Sequence, residues 1–338
     1  MTRPAVLFRA DASHAIGLGH VARLCAVFEE IDPAVAEPIA LLGGDDAVVD
    51  WSRAQRLRAQ IGRWTTEDVL AATATRQIHA VVVDGPQLAA ALLPPLAERG
   101  IRTVLIDDGG HCVLPVDTVV NHNFHAPVLA DAYPTARHRL LGRDYLLVRR
   151  AIRRYPRGAC RPRDVARLRV VVSFGGSDPV GATARIVGLV PTNRPLELIV
   201  ITGPGYRDQR ALHAAAKAAA AGGHAIEVRH NPDDPAELLV TADAAICSAG
   251  GTLGELAYLG CPALGFAIVP DQVLAARSQA SSGLIAGGCT LAEIDDDTIR
   301  AELAAFFLGD RLRREQREYA LATADGLGAR RVVAEALD

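Results

Sequence analysis

The stretch Val6–Arg23, VLFRADASHAIGLGHVAR, decides how the chain is read. Val6–Phe8 is a short apolar run of the kind that forms a buried parallel strand. Arg9 and Asp11 follow, then a loop, then Gly17-Leu18-Gly19-His20. Beyond it, Val21, Leu24, Cys25 and Phe28 recur at the spacing of one helix face. Strand, glycine loop and helix N-terminus together make an anion site, because the free backbone N–H groups and the helix dipole both favour negative charge. His20 stands at that point, and imidazole is the side chain suited to take a proton from water or a hydroxyl near neutral pH.

Outward from this stretch the alternation continues. Further strands are predicted at Ile39–Leu42, Ala80–Val83, Thr103–Ile106, Thr118–Val120 and Arg139–Leu141, with helices around 20–30, 51–60, 67–77 and 87–99. Short apolar runs alternating with helices argue for βαβ units and a parallel sheet. Polar residues close several strands: Asp84-Gly85 after Val83, and Asp107-Asp108-Gly109-Gly110-His111 after Ile106. Ligands of open α/β sheets bind beyond the carboxyl ends of the strands, so Asp84 and Asp107 are candidate walls of a site. The Arg-rich segment from Arg149 to Arg169, with Pro156, Gly158 and Pro162, has little apolar periodicity and reads as a linker.

The second half restarts the pattern. Strands are expected at Val170–Phe174, Leu196–Ile201, Ala225–Arg229, Ala244–Ser248 and Ala263–Phe266, and helical patterns run from there to the end, broken at Gly326 and Gly328. Three helix starts contain glycine: Gly175-Gly176-Ser177-Asp178, Thr202-Gly203-Pro204-Gly205 and Ala249-Gly250-Gly251-Thr252. Several such starts on one domain suit a diphosphate and a sugar ring. The expected organisation is two α/β, Rossmann-like domains facing a central cleft, at 1–150 and 169–320, with a linker at 151–168 and a terminal helix at 321–338.

Composition narrows the function. Half of the 338 residues are hydrophobic and 22% are charged, with a net charge of -3, so a nucleic-acid partner has no support. No apolar run reaches the length of a membrane span. The six cysteines form no C-x-x-C pair and read as reduced and buried; with no signal peptide in view, the expected location is the cytoplasm. No P-loop motif occurs, and Lys217, the only lysine, lies in an alanine run. No G-x-G-x-x-G follows a strand, so a dinucleotide cofactor is disfavoured and no cofactor is expected.

Several side chains keep more than one reading. Glu255, three residues after Thr252, either accepts the hydroxyls of a ribose or forms a capping box with Thr252. Asp11 orients His20, binds a sugar hydroxyl or only shapes its loop; Arg9 meets phosphates or pairs with a carboxylate such as Asp11. His111, His122 and His125 with Asp107 and Asp108 form either loop walls or a metal site, although their spacing is irregular and no metal is expected.

Arg9-x-Asp11 followed by Gly17-x-Gly19-His20-x-x-Arg23 resembles the start of the UDP-sugar hydrolases of pseudaminic acid biosynthesis (PseG) and the related spore-coat SpsG proteins. The resemblance continues at Val104–Asp108, at Val119-Val120-Asn121, and at Gly142-x-x-Tyr145-x-x-x-Arg149. Ser173-Phe174-Gly175-Gly176-Ser177-Asp178 and Ile246-Cys247-Ser248-Ala249-Gly250-Gly251-Thr252-x-x-Glu255 resemble its nucleotide-side loops, with Asp271-Gln272 as the following polar pair. Those two loops are shared more widely with GT-B glycosyltransferases, including MurG.

The resemblance implies a GT-B fold with the last helix crossing back to the N-terminal domain. The second domain would hold UDP, with Glu255 on the ribose, Arg229 and His230 at the base, and Ser248–Thr252 at the phosphates. The N-terminal domain would hold the sugar, and His20 would activate water for attack at the anomeric carbon, releasing UDP with inversion and without a metal. A UDP-sugar is therefore the expected partner and a monomer the expected state. Asp84-Gly85-Pro86-Gln87 departs from the family pattern and leaves the sugar open, and with it a glycosyltransferase that uses an acceptor other than water.

Overall fold

The computed structural model describes residues 3–13, 16–54, 58–109, 112–161 and 167–337. The chain forms two compact units, Met1–Arg150 with Gly326–Asp338, and Ala151–Asp325. The first is built from β1 (Ala5–Asp11), α1 (Gly19–Phe28), β2 (Glu37–Gly43), α2 (Asp46–Ala54), β3 (Gln60–Gly62), α3 (Thr66–Thr75), β4 (Ile78–Asp84), α4 (Pro86–Glu98), β5 (Arg102–Ile106), β6 (Thr118–Asn121) and β7 (His138–Leu141). Its strands are ordered β3-β2-β1-β4-β5-β6-β7, and every neighbouring pair is parallel. The sheet is doubly wound, and the order reverses between β1 and β4.

Burial on both faces explains the apolar runs. Phe8, Ala10 and Val82 pack under α1, while Leu7, Val81 and Val83 pack against α4 on the other face. Val21, Leu24 and Cys25 are the buried stripe of α1, and Phe28 meets Phe8 edge to face with centroids 5.3 Å apart. Each fully buried Leu or Val here stabilises the unit by roughly 1.5–3 kcal/mol.

The second unit follows α5 (Arg150–Arg153) with β8 (Leu168–Ser173), α6 (Ala182–Leu189), β9 (Leu196–Thr202), α7 (Gln209–Ala221), β10 (Ala225–His230), α8 (Pro235–Val240), β11 (Ala244–Ser248), α9 (Gly251–Leu259), β12 (Ala263–Ala267), α10 (Val273–Ser281), β13 (Ile285–Thr290), α11 (Asp296–Leu308) and α12 (Asp310–Thr323). Its order β10-β9-β8-β11-β12-β13 repeats the winding of the first sheet, with the reversal between β8 and β11.

Three details differ from the sequence reading. β13 replaces part of the expected helical tail, because Gly287 and Gly288 hold left-handed backbone that a helix interior does not use. β3 was not expected, and α2 begins earlier than the predicted helix at 51–60, whose residues 55–57 lie outside the described residues. The segment read as a linker is partly built into the second unit: the amides of Gly158 and Cys160 bond the carbonyls of Tyr258 and Leu259, and the Arg317 guanidinium bonds the carbonyls of Gly158, Cys160 and Gly260. Residues 162–166 of that segment lie outside the described residues. α13 (Gly328–Leu337) lies on the first unit, where Ala329, Val332, Val333 and Ala336 join the core beneath α1. Its first residue must be glycine, because a Cβ there would stand 2.4 Å from the Leu146 carbonyl oxygen.

Candidate functional site

In the first unit the reversal point between β1 and β4 collects the polar side chains. β4 ends on Asp84, whose side chain has no exposure, and α1 starts at Gly19 just after the left-handed Gly17. His20 and Arg23 lie one helical turn apart on α1 and both reach Asp84. His20 Nδ1 is 2.6 Å from Asp84 Oδ1. Arg23 grips the same carboxylate with Nε at 2.6 Å from Oδ2 and Nη2 at 2.7 Å from Oδ1, and its Nη1 pairs with Asp108. A contact of 2.6 Å between a ring nitrogen and a carboxylate oxygen calls for a proton between them, so Nδ1 donates and, in the neutral imidazole, Nε2 is the acceptor. Nε2 has no partner among the described residues, and the His20 side chain keeps 23% exposure.

The network continues across the strand ends. Asn123 donates to Asp108 at 2.7 Å and to Asn121 Oδ1 at 3.0 Å; Asn121 donates to the Tyr133 hydroxyl, which donates to Asp107 at 2.8 Å. Burial opposes the charge of Arg23, but Asp108 and Asp84 outweigh it and raise its pKa. Burial likewise opposes the Asp108 carboxylate, yet Arg23 beside it holds it well below the usual range. His122, buried next to this group, is pushed down to about 4, first by burial and then by the Arg23 charge. His125 is lowered by burial as well.

The structure selects among the readings of Asp11 and Arg9. Asp11 does not orient His20; it pairs with the buried Arg9, and Asp84 is the carboxylate on the imidazole. The Arg9–Asp11 pair lies over Gly43, where a Cβ would stand 1.9 Å from Asp11 Oδ1. Arg23, expected on substrate, spends its donors on Asp84 and Asp108, and Asn121 spends its side chain on Tyr133 and Asn123. Among the described residues no group of three or more His, Cys, Asp or Glu side chains is placed to hold a metal, and His111 lies outside them.

In the second unit the ends of β8, β9 and β11 carry the glycine loops. A Cβ on Gly203 would stand 2.4 Å from Gly176 Cα, and the Gly205 amide bonds the Gly176 carbonyl at 3.0 Å. These glycines therefore let two loops touch backbone to backbone. Asp178 is buried and accepts from the amides of Ala182 and Thr183, so its carboxylate caps α6 and is not free for a ligand. Thr202 Oγ1 and Gln209 Nε2 lie 3.1 and 3.3 Å from His230 Nδ1, and the exposed Arg229 pairs with Glu227. α9 begins at Gly251 with Gly250 as its N-cap, and no side chain caps it. Thr252 is thus inside the helix, and the capping box with Glu255 does not form. Glu255 is buried on the same helix, Ser248 is buried and Ala249 lies just before the N-cap. Asp271 is exposed, and Gln272 Oε1 accepts from the Ile268 amide while its Nε2 nears Gly250.

Gly19 and Gly251 stand apart from the other glycines. Each opens a helix, neither has left-handed backbone, and a Cβ on either would meet nothing within 4 Å. Among the described residues nothing requires glycine at these two positions.

No protein-family model matches the chain, and no curated protein sequence matches it. Solved structures do. MurG of Acinetobacter baumannii is 17% identical over 98% of this chain and 99% of its own, with a TM-score of 0.67. The UDP-GlcNAc 2-epimerase of Neisseria meningitidis, bound to UDP-GlcNAc, is 10% identical over 98% and 99%, with a TM-score of 0.62. A UDP-glucosyltransferase of Polygonum tinctorium capable of glucosylating indoxyl is 14% identical over 99% and 98%, with a TM-score of 0.60. The fold is GT-B. At these identities the likeness is one of fold, and chemistry has to be argued from the side chains.

Proposed function

We propose that the chain is a nucleotide-sugar hydrolase of the PseG/SpsG type, cleaving a UDP-linked amino sugar at the anomeric carbon with inversion. The observation that carries the reading is the His20–Asp84 pair, which puts the proton on Nδ1 and leaves Nε2 as an acceptor at the β1/β4 reversal point. In this reading Nε2 takes a proton from water as the water oxygen bonds to the anomeric carbon. The bond from that carbon to the β-phosphate oxygen breaks, and its electron pair leaves with UDP. The diphosphate is a good leaving group, so the main demand is for donors facing its growing charge. The open α9 N-terminus at Gly250–Thr252 supplies them, and Gly251 permits close approach of an oxygen. Glu255 takes the ribose hydroxyls, Arg229 and His230 take the base, and Gly19 leaves room for the sugar beside His20. The reading uses no metal and no cofactor and places a monomeric enzyme in the cytoplasm.

Of the proteins of like fold named above, one is a UDP-GlcNAc 2-epimerase bound to UDP-GlcNAc and one a UDP-glucosyltransferase, which supports the donor class and leaves the acceptor to experiment. The test is UDP release from a panel of UDP-sugars without acceptor, for wild type and His20→Ala. Release should fall by roughly 10²–10⁴-fold in the variant with donor affinity kept. Release that waits for an added alcohol or amine means a glycosyltransferase; UDP binding without release under any condition refutes the hydrolase.

A further inference from the structure

Arg23 has more to do than its place near a substrate suggests. Its Nε and Nη2 span both oxygens of Asp84 at 2.6 and 2.7 Å, in the fork geometry that only a guanidinium provides. Its Nη1 is taken by Asp108, which Asn123 holds from the other side at 2.7 Å. The side chain is 11% exposed and lies between two carboxylates, so the local charge is negative and repels a phosphate. Nη2 also stands 3.0 Å from His20 Nδ1. Nη2 and Nδ1 both reach the same carboxylate oxygen, Asp84 Oδ1.

We infer that Arg23 is a positioning residue: it clamps the Asp84 carboxylate so that Asp84 receives the Nδ1–H of His20, and Asp108 with Asn123 fixes Arg23 in turn. The inference rests on the reading of His20 as the base. A buried carboxylate without the fork can turn about its terminal bond and present either oxygen at a changed angle. With both oxygens gripped, the remaining lone pair of Oδ1 is held facing the imidazole. The two carboxylates strengthen the charge of Arg23 against the cost of burial, so the clamp does not release within the pH range where imidazole titrates. Lysine at this position would bring the charge but one point of attachment, and could not hold Asp84 and Asp108 together.

The experiment compares wild type, Arg23→Lys and Arg23→Met. ¹⁵N NMR of the His20 ring reads the tautomer directly, kcat and KM for UDP release read the chemistry, and UDP titration reads the nucleotide site. Wild type should show the proton on Nδ1. Arg23→Lys should show mixed tautomers and a kcat lower by about 10–100-fold, with KM within about three-fold and UDP affinity unchanged. Arg23→Met should show the same at greater depth; if it fails to fold, Arg23→Lys alone decides. A wild-type proton on Nε2 overturns the inference, as does Arg23→Lys with kcat and tautomer kept, whether or not KM rises. The tautomer needs no turnover, so the clamp can fail while hydrolysis stands, and hydrolysis can fail while the clamp stands.

Discussion

Asp84→Asn is the sharpest perturbation of the first unit. The carboxylate has no exposure and receives three hydrogen bonds of 2.6 to 2.7 Å, one from His20 and two from Arg23. Asparagine has the same shape but only one acceptor atom. If its oxygen faces Arg23, its NH₂ faces His20 and can only donate, so the imidazole must accept on Nδ1 and carry its proton on Nε2. The base is then blocked while the donor-binding groups are untouched. A positioned base contributes roughly 10²–10⁴-fold, so kcat for UDP release should fall by that factor with KM within about three-fold. Removing one partner of a buried ion pair costs about 3–5 kcal/mol. Arg23 keeps Asp108, so the loss should lie near the lower end, about 3 kcal/mol by urea unfolding. Both quantities come from one preparation of folded protein. A kcat within about three-fold of wild type would refute the role given to Asp84.

Three further outcomes follow. Gly19→Ala should leave stability within about 0.5 kcal/mol, because its Cβ meets nothing within 4 Å among the described residues, yet weaken donor binding if the sugar passes there; unfolding and KM together check it. Gly203→Ala drives a methyl against the backbone of Gly176 and should cost about 1–3 kcal/mol in chemical denaturation while lowering UDP affinity. Acid should destabilise the protein in a defined window. The unfolded chain protonates His122 near its ordinary value of about 6.5, whereas the folded chain does so only at about 4, so stability present above that window is lost as pH falls through it. The full loss is roughly 3 kcal/mol, His125 adds in the same direction, and Asp108 extends the loss below the ordinary carboxylate range. Urea unfolding at several pH values, with His122→Gln flattening the upper part of the window, measures it.

The fold was legible where burial is symmetrical. β1, β4 and β8 are covered on both faces, and that alone makes their sequences short apolar runs. β13 was hidden because Ile285 is its one large apolar residue and its pairing slips register beside Gly265. At the site, His20 announced itself through the glycines before it. Its partner did not, because Asp84 lies 64 residues away on another strand and no local spacing links the two. Asp11, close in sequence, looked the better candidate; the parallel pairing of β1 with β4 is what brings Asp84 to α1 instead. Asp108 was read only as a loop-wall or metal-site residue and Asn123 was not singled out, since their meaning depends on Arg23 reaching across strand ends. A carboxylate closing each of several parallel strands was the one available signal.

The return of α13 to the first unit has a consequence for how the polypeptide is made. The first unit is encoded at both ends, and the second is an uninterrupted insertion within it. During synthesis the N-terminal sheet leaves the ribosome before the second unit, but the wall formed by Ala329, Val332, Val333 and Ala336 leaves after it. The second unit has all of its residues in hand before the first can close. The nascent first unit therefore waits with the apolar underside of α1 uncovered, and a fragment ending at Arg150 would carry that exposed face permanently.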